Sequence, residues 1–169
     1  MQTDPQAADP TPPDCFRLDE LEALQAFEGR ALTDVNYYLW LNRTDAGAAP
    51  YRFLYTLELA FGYEGALLLS SGEDSTALRI IAPETLIRTA QQLQTLHGQV
   101  SIQRVNAGAF PLWQPAIDKT LDAIRLSRNE AGLYWNDALV LDFGDWKILV
   151  RISNKEGLEL GDFTAGRPG

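Results

Sequence analysis

Residues 55–80, YTLELAFGYEGALLLSSGEDSTALRI, return in shorter form at residues 137–160, DALVLDFGDWKILVRISNKEGLEL. Setting Leu57 on Leu139 also brings Leu59 onto Leu141, Phe61 onto Phe143 and Gly62 onto Gly144, and after a short deletion Leu78 falls on Leu158. Around the longer copy Phe53, Tyr55, Leu57, Leu59 and Phe61 alternate with Arg52, Thr56 and Glu58, the period of a strand with one buried face. FGYEG and SSGEDS then break the apolar runs with turn-forming residues, so the spacing predicts an antiparallel meander of short strands.

The echo extends backwards. Residues 23–35, ALQAFEGRALTDV, lie over residues 112–124, LWQPAIDKTLDAI, matching Gln25 with Gln114, Arg30 with Lys119, Leu32 with Leu121 and Val35 with Ile124. The expected fold is therefore α+β: two similar antiparallel β-meander halves from an internal duplication, at about 23–80 and 112–160, each preceded by a short helix, with a longer helix between them. Leu18, Leu21, Leu24 and Phe27 at helical spacing, closed by Gly29, predict the first helix over 18–28. Pro83, tolerated in a first turn, then Leu86, Ala90 and Leu93 before Gly98 predict the longer one over 83–97. Further strands are expected at 31–41 and 99–105, and in the second half at 123–127, 133–143, 146–152 and 157–163.

A single domain over 15–163 accommodates all of this, with 46% hydrophobic and 22% charged residues, the balance of a chain that builds a core. Residues 1–14 hold four prolines and three aspartates but no large side chain except Met1, too little apolar area to offset the entropy of ordering, and are expected to be a disordered acidic tail. Residues 164–169 are expected to fray.

The formal charge is 14 − 23 = −9. Such a surface repels phosphate backbones and anionic lipid, so a basic protein is the expected partner, with neither nucleic acid nor membrane. Cys15 is the only cysteine, and no apolar run resembles a signal peptide or a membrane span, from which a cytoplasmic location is expected.

Chemistry-bearing constellations are sparse. One histidine and one cysteine, far apart in the chain, do not make a zinc site, and no metal or other cofactor is expected. The acidic GEDS at 72–75 lacks the alternating oxygen ligands of a calcium loop. His97, at the end of a helix, suits the helix dipole better than general-base work. Asp14 beside Cys15 disfavours a thiolate. No GxSxG, GxGxxG or Walker motif occurs. Glu58 and Asp142 fall in equivalent strands, yet Glu58 aligns with Val140 and Asp142 with Ala60, so the repeat preserves no symmetric acid pair.

The aromatics offer a surface instead. Tyr37, Tyr38 and Trp40 cannot all face inward from one strand, and exposed aromatics beside acids are common at protein interfaces. The candidate contact residues are Tyr37, Tyr38, Trp40, Glu58, Trp135 and Asp142. The expected function is that of a small acidic protein-binding module, an inhibitor or immunity-type factor. The alternative is a small-ligand binder or enzyme with a pocket between the two halves, and a structural homodimer is a third reading.

Overall fold

In the computed structural model the described residues are 11–42, 51–72, 75–96, 100–153 and 157–164. Most of the expected tail (1–10), Glu73 and Asp74 of the acidic turn, His97 and residues 165–169 lie outside them. The elements in chain order are α1 (Leu18–Phe27), β1 (Asp34–Asn42), β2 (Tyr51–Ala60), β3 (Ala66–Ser70), β4 (Arg79–Ile81), α2 (Pro83–Leu96), β5 (Val100–Asn106), β6 (Ala123–Arg125), β7 (Ala138–Asp142), β8 (Lys147–Ser153) and β9 (Gly157–Asp162).

Two runs of antiparallel pairing follow chain order, β1 to β4 and β6 to β9, with β5 added on the outer side of β1. They join where β2 meets β9 in a parallel contact, Leu54 opposite Gly157. Leu78, just before β4, donates its N–H to the carbonyl of Asn136, just before β7, at 2.8 Å. The mixed sheet thus curls so that the segment entering β4 reaches the segment entering β7. Side chains alternate across a strand, so one set of aliphatic side chains turns inward: Leu57, Leu59, Leu67 and Leu69 from the first run, Leu139, Leu141, Ile148 and Val150 from the second, all in one buried cluster. Each such side chain contributes roughly 1.5–3 kcal/mol by leaving water.

The two runs have like registers. Val35 stands opposite Leu59 and Leu59 opposite Leu67, as Ile124 stands opposite Leu141 and Leu141 opposite Ile148. The segments entering β1 and β6 also pair with each other at Ala31 and Thr120. There Leu32 N–H donates to Lys119 O (3.0 Å) and Leu121 N–H to Arg30 O (2.9 Å), flanked by Gly29 N–H to Leu121 O and Asp118 N–H to Leu32 O, both 2.7 Å.

Three details depart from the sequence-based expectation. The single apolar face of β2 is divided: the register steps from Tyr38 opposite Thr56 to Leu39 opposite Leu54, a bulge whose extra residue reverses the alternation. Leu57, Leu59 and Phe61 therefore enter the main core, while Phe53 and Tyr55 join Leu68 and Leu86 of α2 in a second cluster. The short helix expected before the second half is a single 3-10 turn, Gln114–Ala116. Ile117 already has extended backbone, at φ −64° and ψ 134°, and Asp118 stands at φ +69°, which ends the turn. Finally, the end of the expected tail docks. Pro13 O accepts from Arg79 Nη2 (2.7 Å) and Asn136 Nδ2 (2.8 Å), and Phe16 N–H donates to Tyr134 O at 2.9 Å.

α1 is held at both ends. Glu20 reaches back to the N–H of Arg17 at 2.9 Å, satisfying one of the donors that a helix start leaves open. Gly29, at φ +88°, lets the chain leave in a left-handed conformation.

Candidate functional site

Tyr37, Tyr38 and Trp40 divide between the faces of β1 as strand alternation requires. Tyr37 turns to the main core, where its hydroxyl accepts from Trp113 Nε1 at 2.7 Å and its ring meets Phe110 edge-on, with centroids 5.7 Å apart. Burial pushes its phenol above the ordinary value, and the indole hydrogen bond offsets this only in part.

Tyr38 and Trp40 take the other face, packed against the cluster below α2. Trp40 stacks on Phe53 at 5.6 Å between centroids and tilts against Tyr55 at 5.2 Å. Along the same rows runs a polar chain: Tyr38 OH donates to Glu58 Oε1 (3.3 Å), Asn36 Nδ2 to the same oxygen (2.9 Å), and Asn106 Nδ2 to Asn36 Oδ1 (3.2 Å) and Asp34 Oδ1 (2.9 Å). Burial and the neighbouring Glu58 charge raise the Tyr38 pKa, with Arg104 pulling against them. This phenol therefore stays neutral, and the chain of amides and carboxylates is satisfied internally.

Asp142 belongs to a different place. At 4% exposure, it accepts from Arg125 Nε and from Gly144 N–H, each at 2.8 Å, with Lys147 Nζ at 3.8 Å. Burial works against its charge, but these donors overcome it and hold the carboxyl below its ordinary value. Trp135 is more than a third exposed and pairs with Cys15 across an isolated bridge. Glu58 and Asp142 have separate sets of partners. Of the six residues named from the sequence, the fold brings Tyr38 and Trp40 into one cluster, with Tyr38 bonded to Glu58, and places Tyr37, Trp135 and Asp142 elsewhere.

Cys15 is fully buried. Desolvation, the charge of Asp14 and the hydrogen bond to it all raise the thiol pKa, which leaves the reactive thiolate disfavoured.

The packing also makes a groove that no local pattern announces. α1 and β6 lie side by side without closing. Leu21, Leu24, Ile124, Leu126 and Tyr134 form the apolar walls of a cleft of about 410 Å³, with Leu18 at 70% exposure beside it. Glu22 and Glu28 supply its acids. Glu28 Oε2 also accepts from the N–H of Ile124 at 2.7 Å, which fixes the carboxylate at the edge of β6. Among the described residues no lysine, arginine or histidine lines the cleft. The Arg128 guanidinium lies over the ring of Tyr134, one of the lining residues, 5.8 Å from its centroid. The only sequence signal for the groove was the run of leucines in α1, which reads equally well as core.

Among the described residues no helix is long and apolar enough to cross a membrane, and no three His, Cys, Asp or Glu side chains come together as a metal site. Compared with protein-family models, curated proteins and solved structures, the chain matches none.

Proposed function

We propose that the chain is an acidic, cytoplasmic protein-binding module of the inhibitor or immunity type, built on an internally duplicated scaffold and directed at a basic partner. The observation that carries the reading is the disposition of charge. Seven basic side chains, Arg17, Arg30, Arg79, Lys119, Arg125, Lys147 and Arg151, are already ion-paired within the fold. Four of these, Arg17, Arg79, Arg125 and Lys147, serve the buried acids Glu20 and Asp142. The formal charge of −9 is therefore carried outward by exposed acids such as Glu22, Asp122, Asp137 and Glu130. A surface of this kind steers a cationic partner in and repels anions.

Duplication is supported by hydrogen bonds that map onto one another under the sequence alignment. Exchanging Leu32 with Leu121 and Arg30 with Lys119 turns the first cross-half bond into the second. Thr33 N–H to Ala60 O likewise becomes Asp122 N–H to Asp142 O, both at 2.8 Å. The pocket between the halves has no comparable support, because leucine, isoleucine and valine side chains from both runs fill that interior.

The test is affinity capture of the full chain in extracts of its native host at low and high salt. A basic protein recovered in stoichiometric amount at low salt and released at high salt is the expected result. A partner that is acidic, or none at all, would defeat the reading.

A further inference from the structure

The groove between α1 and β6 acquires an occupant when it is compared with the aligned place in the other half. Continuing the match of Leu24 with Trp113 and Val35 with Ile124 sets Leu21 on Phe110 and Leu126 on Tyr37. In that half the three positions hold aromatic rings: Trp113 is fully buried and bonded to the Tyr37 hydroxyl, and Phe110, more than a third exposed, stands edge-on to the Tyr37 ring. Around α1 the same positions hold leucines, and all three wall the cleft of about 410 Å³, whereas the cleft of about 370 Å³ at Gln114 and Ile117 in the other half is lined by Asp34, Asn106 and Asp118 and by none of its three rings. The acids differ in the same sense. Glu22 and Glu28 stand where the other half has Pro111 and Ile117.

We infer that this groove is where the partner docks, and that it takes a segment presenting a large aromatic side chain flanked by lysine or arginine. The inference rests on the acidic-module reading and gives it a place. An aromatic side chain supplies from outside ring volume of the kind that the buried Trp113 supplies from within on the other side, and its burial is the main driving term. The flanking cations meet Glu22 and Glu28 in a cleft that no basic side chain lines, which sets orientation and on-rate more than raw affinity. Leu18, left at 70% exposure, gains cover when the segment is seated.

The test pans a random-peptide phage library on the immobilised full chain and measures the recovered peptides by fluorescence anisotropy. Peptides combining an aromatic residue with neighbouring lysines or arginines should dominate. Transplanting the rings of the other half, Leu21→Phe with Leu126→Tyr, should weaken them by about tenfold or more. Because filling the groove can disturb packing, Glu22→Arg at an exposed position is the second variant, expected to weaken binding by about fivefold while leaving the circular dichroism spectrum unchanged. Peptides that bind the native and filled chains alike overturn the groove but leave the acidic module standing. No enrichment, although the host extract yields a basic partner, overturns the groove alone. Failure of both experiments removes the module reading as well.

Discussion

Gly157 lies against Leu54 so closely that a β-carbon built on it would stand 2.1 Å from the Leu54 carbonyl oxygen and 2.6 Å from the Phe53 ring. This is the parallel contact through which β9 meets β2, and Gly157 holds it at φ +71°. Both the steric gap and the left-handed backbone require glycine there. Gly157→Ala should lose about 3 kcal/mol or more of unfolding free energy, because strain at the special φ adds to displacement of strand backbone. Equilibrium denaturation in urea checks it, with Gly161→Ala as the control, since nothing lies within 4 Å of a β-carbon there. Equal losses at the two glycines would refute the account.

Glu20 ties the start of α1 to β4 from a buried position. At 2% exposure it accepts from Arg79 Nη1 (2.8 Å), the N–H of Ile80 (3.1 Å) and the N–H of Arg17 (2.9 Å). Removing one member of such a set leaves the others desolvated without partners, so Glu20→Ala should destabilise by about 3 kcal/mol. The neighbouring Asp19, whose pair with Arg17 is exposed, should cost under about 1 kcal/mol when changed to alanine. Thermal unfolding of the two variants side by side makes the comparison.

Asp142 gives the fold an acid sensitivity with a defined sign. Its folded-state pKa lies below the ordinary 3.8, so the native state favours the charged form. The stabilisation is complete above the unfolded value, near pH 4, and is lost as the pH falls through the depressed folded value. Asp142→Asn should therefore be less stable than the native chain at neutral pH by about 2 kcal/mol, the worth of hydrogen bonds to a charged acceptor. The gap between the two should narrow toward pH 3. A stability difference that stays constant from pH 7 to pH 3 would show that the charge of Asp142 contributes nothing.

The meander was legible because strand period and turn residues are local. Leu57 to Phe61 alternate, and FGYEG ends the run within the next few residues. The bulge between Tyr38 and Leu39 was not legible, since one inserted residue leaves the apolar content of β2 unchanged and alters only which face Phe53 and Tyr55 take. The docking of Pro13 was hidden for another reason. A proline-rich, acidic stretch has no burial signal of its own, and its carbonyl is held by Arg79 and Asn136, both remote in sequence. Of the candidate surface, the division of Tyr37 from Tyr38 followed from alternation alone. The groove did not, because its volume depends on side chains of α1 and β6 that meet only after the sheet has curled.

The cross-half ladder at Arg30 to Leu32 and Lys119 to Leu121 bears on how the chain can be divided. Its four hydrogen bonds, like the Leu54 to Gly157 contact and the shared interior, join the halves through space, whereas β1 to β5 and β6 to β9 each pair mainly within their own stretch of chain. The covalent link after β5 runs through exposed residues, Ala109 to Pro111. Two polypeptides separated at Ala109 should consequently find each other and reconstitute the native sheet when mixed, an assembly whose dissociation constant reports the strength of the internal seam directly.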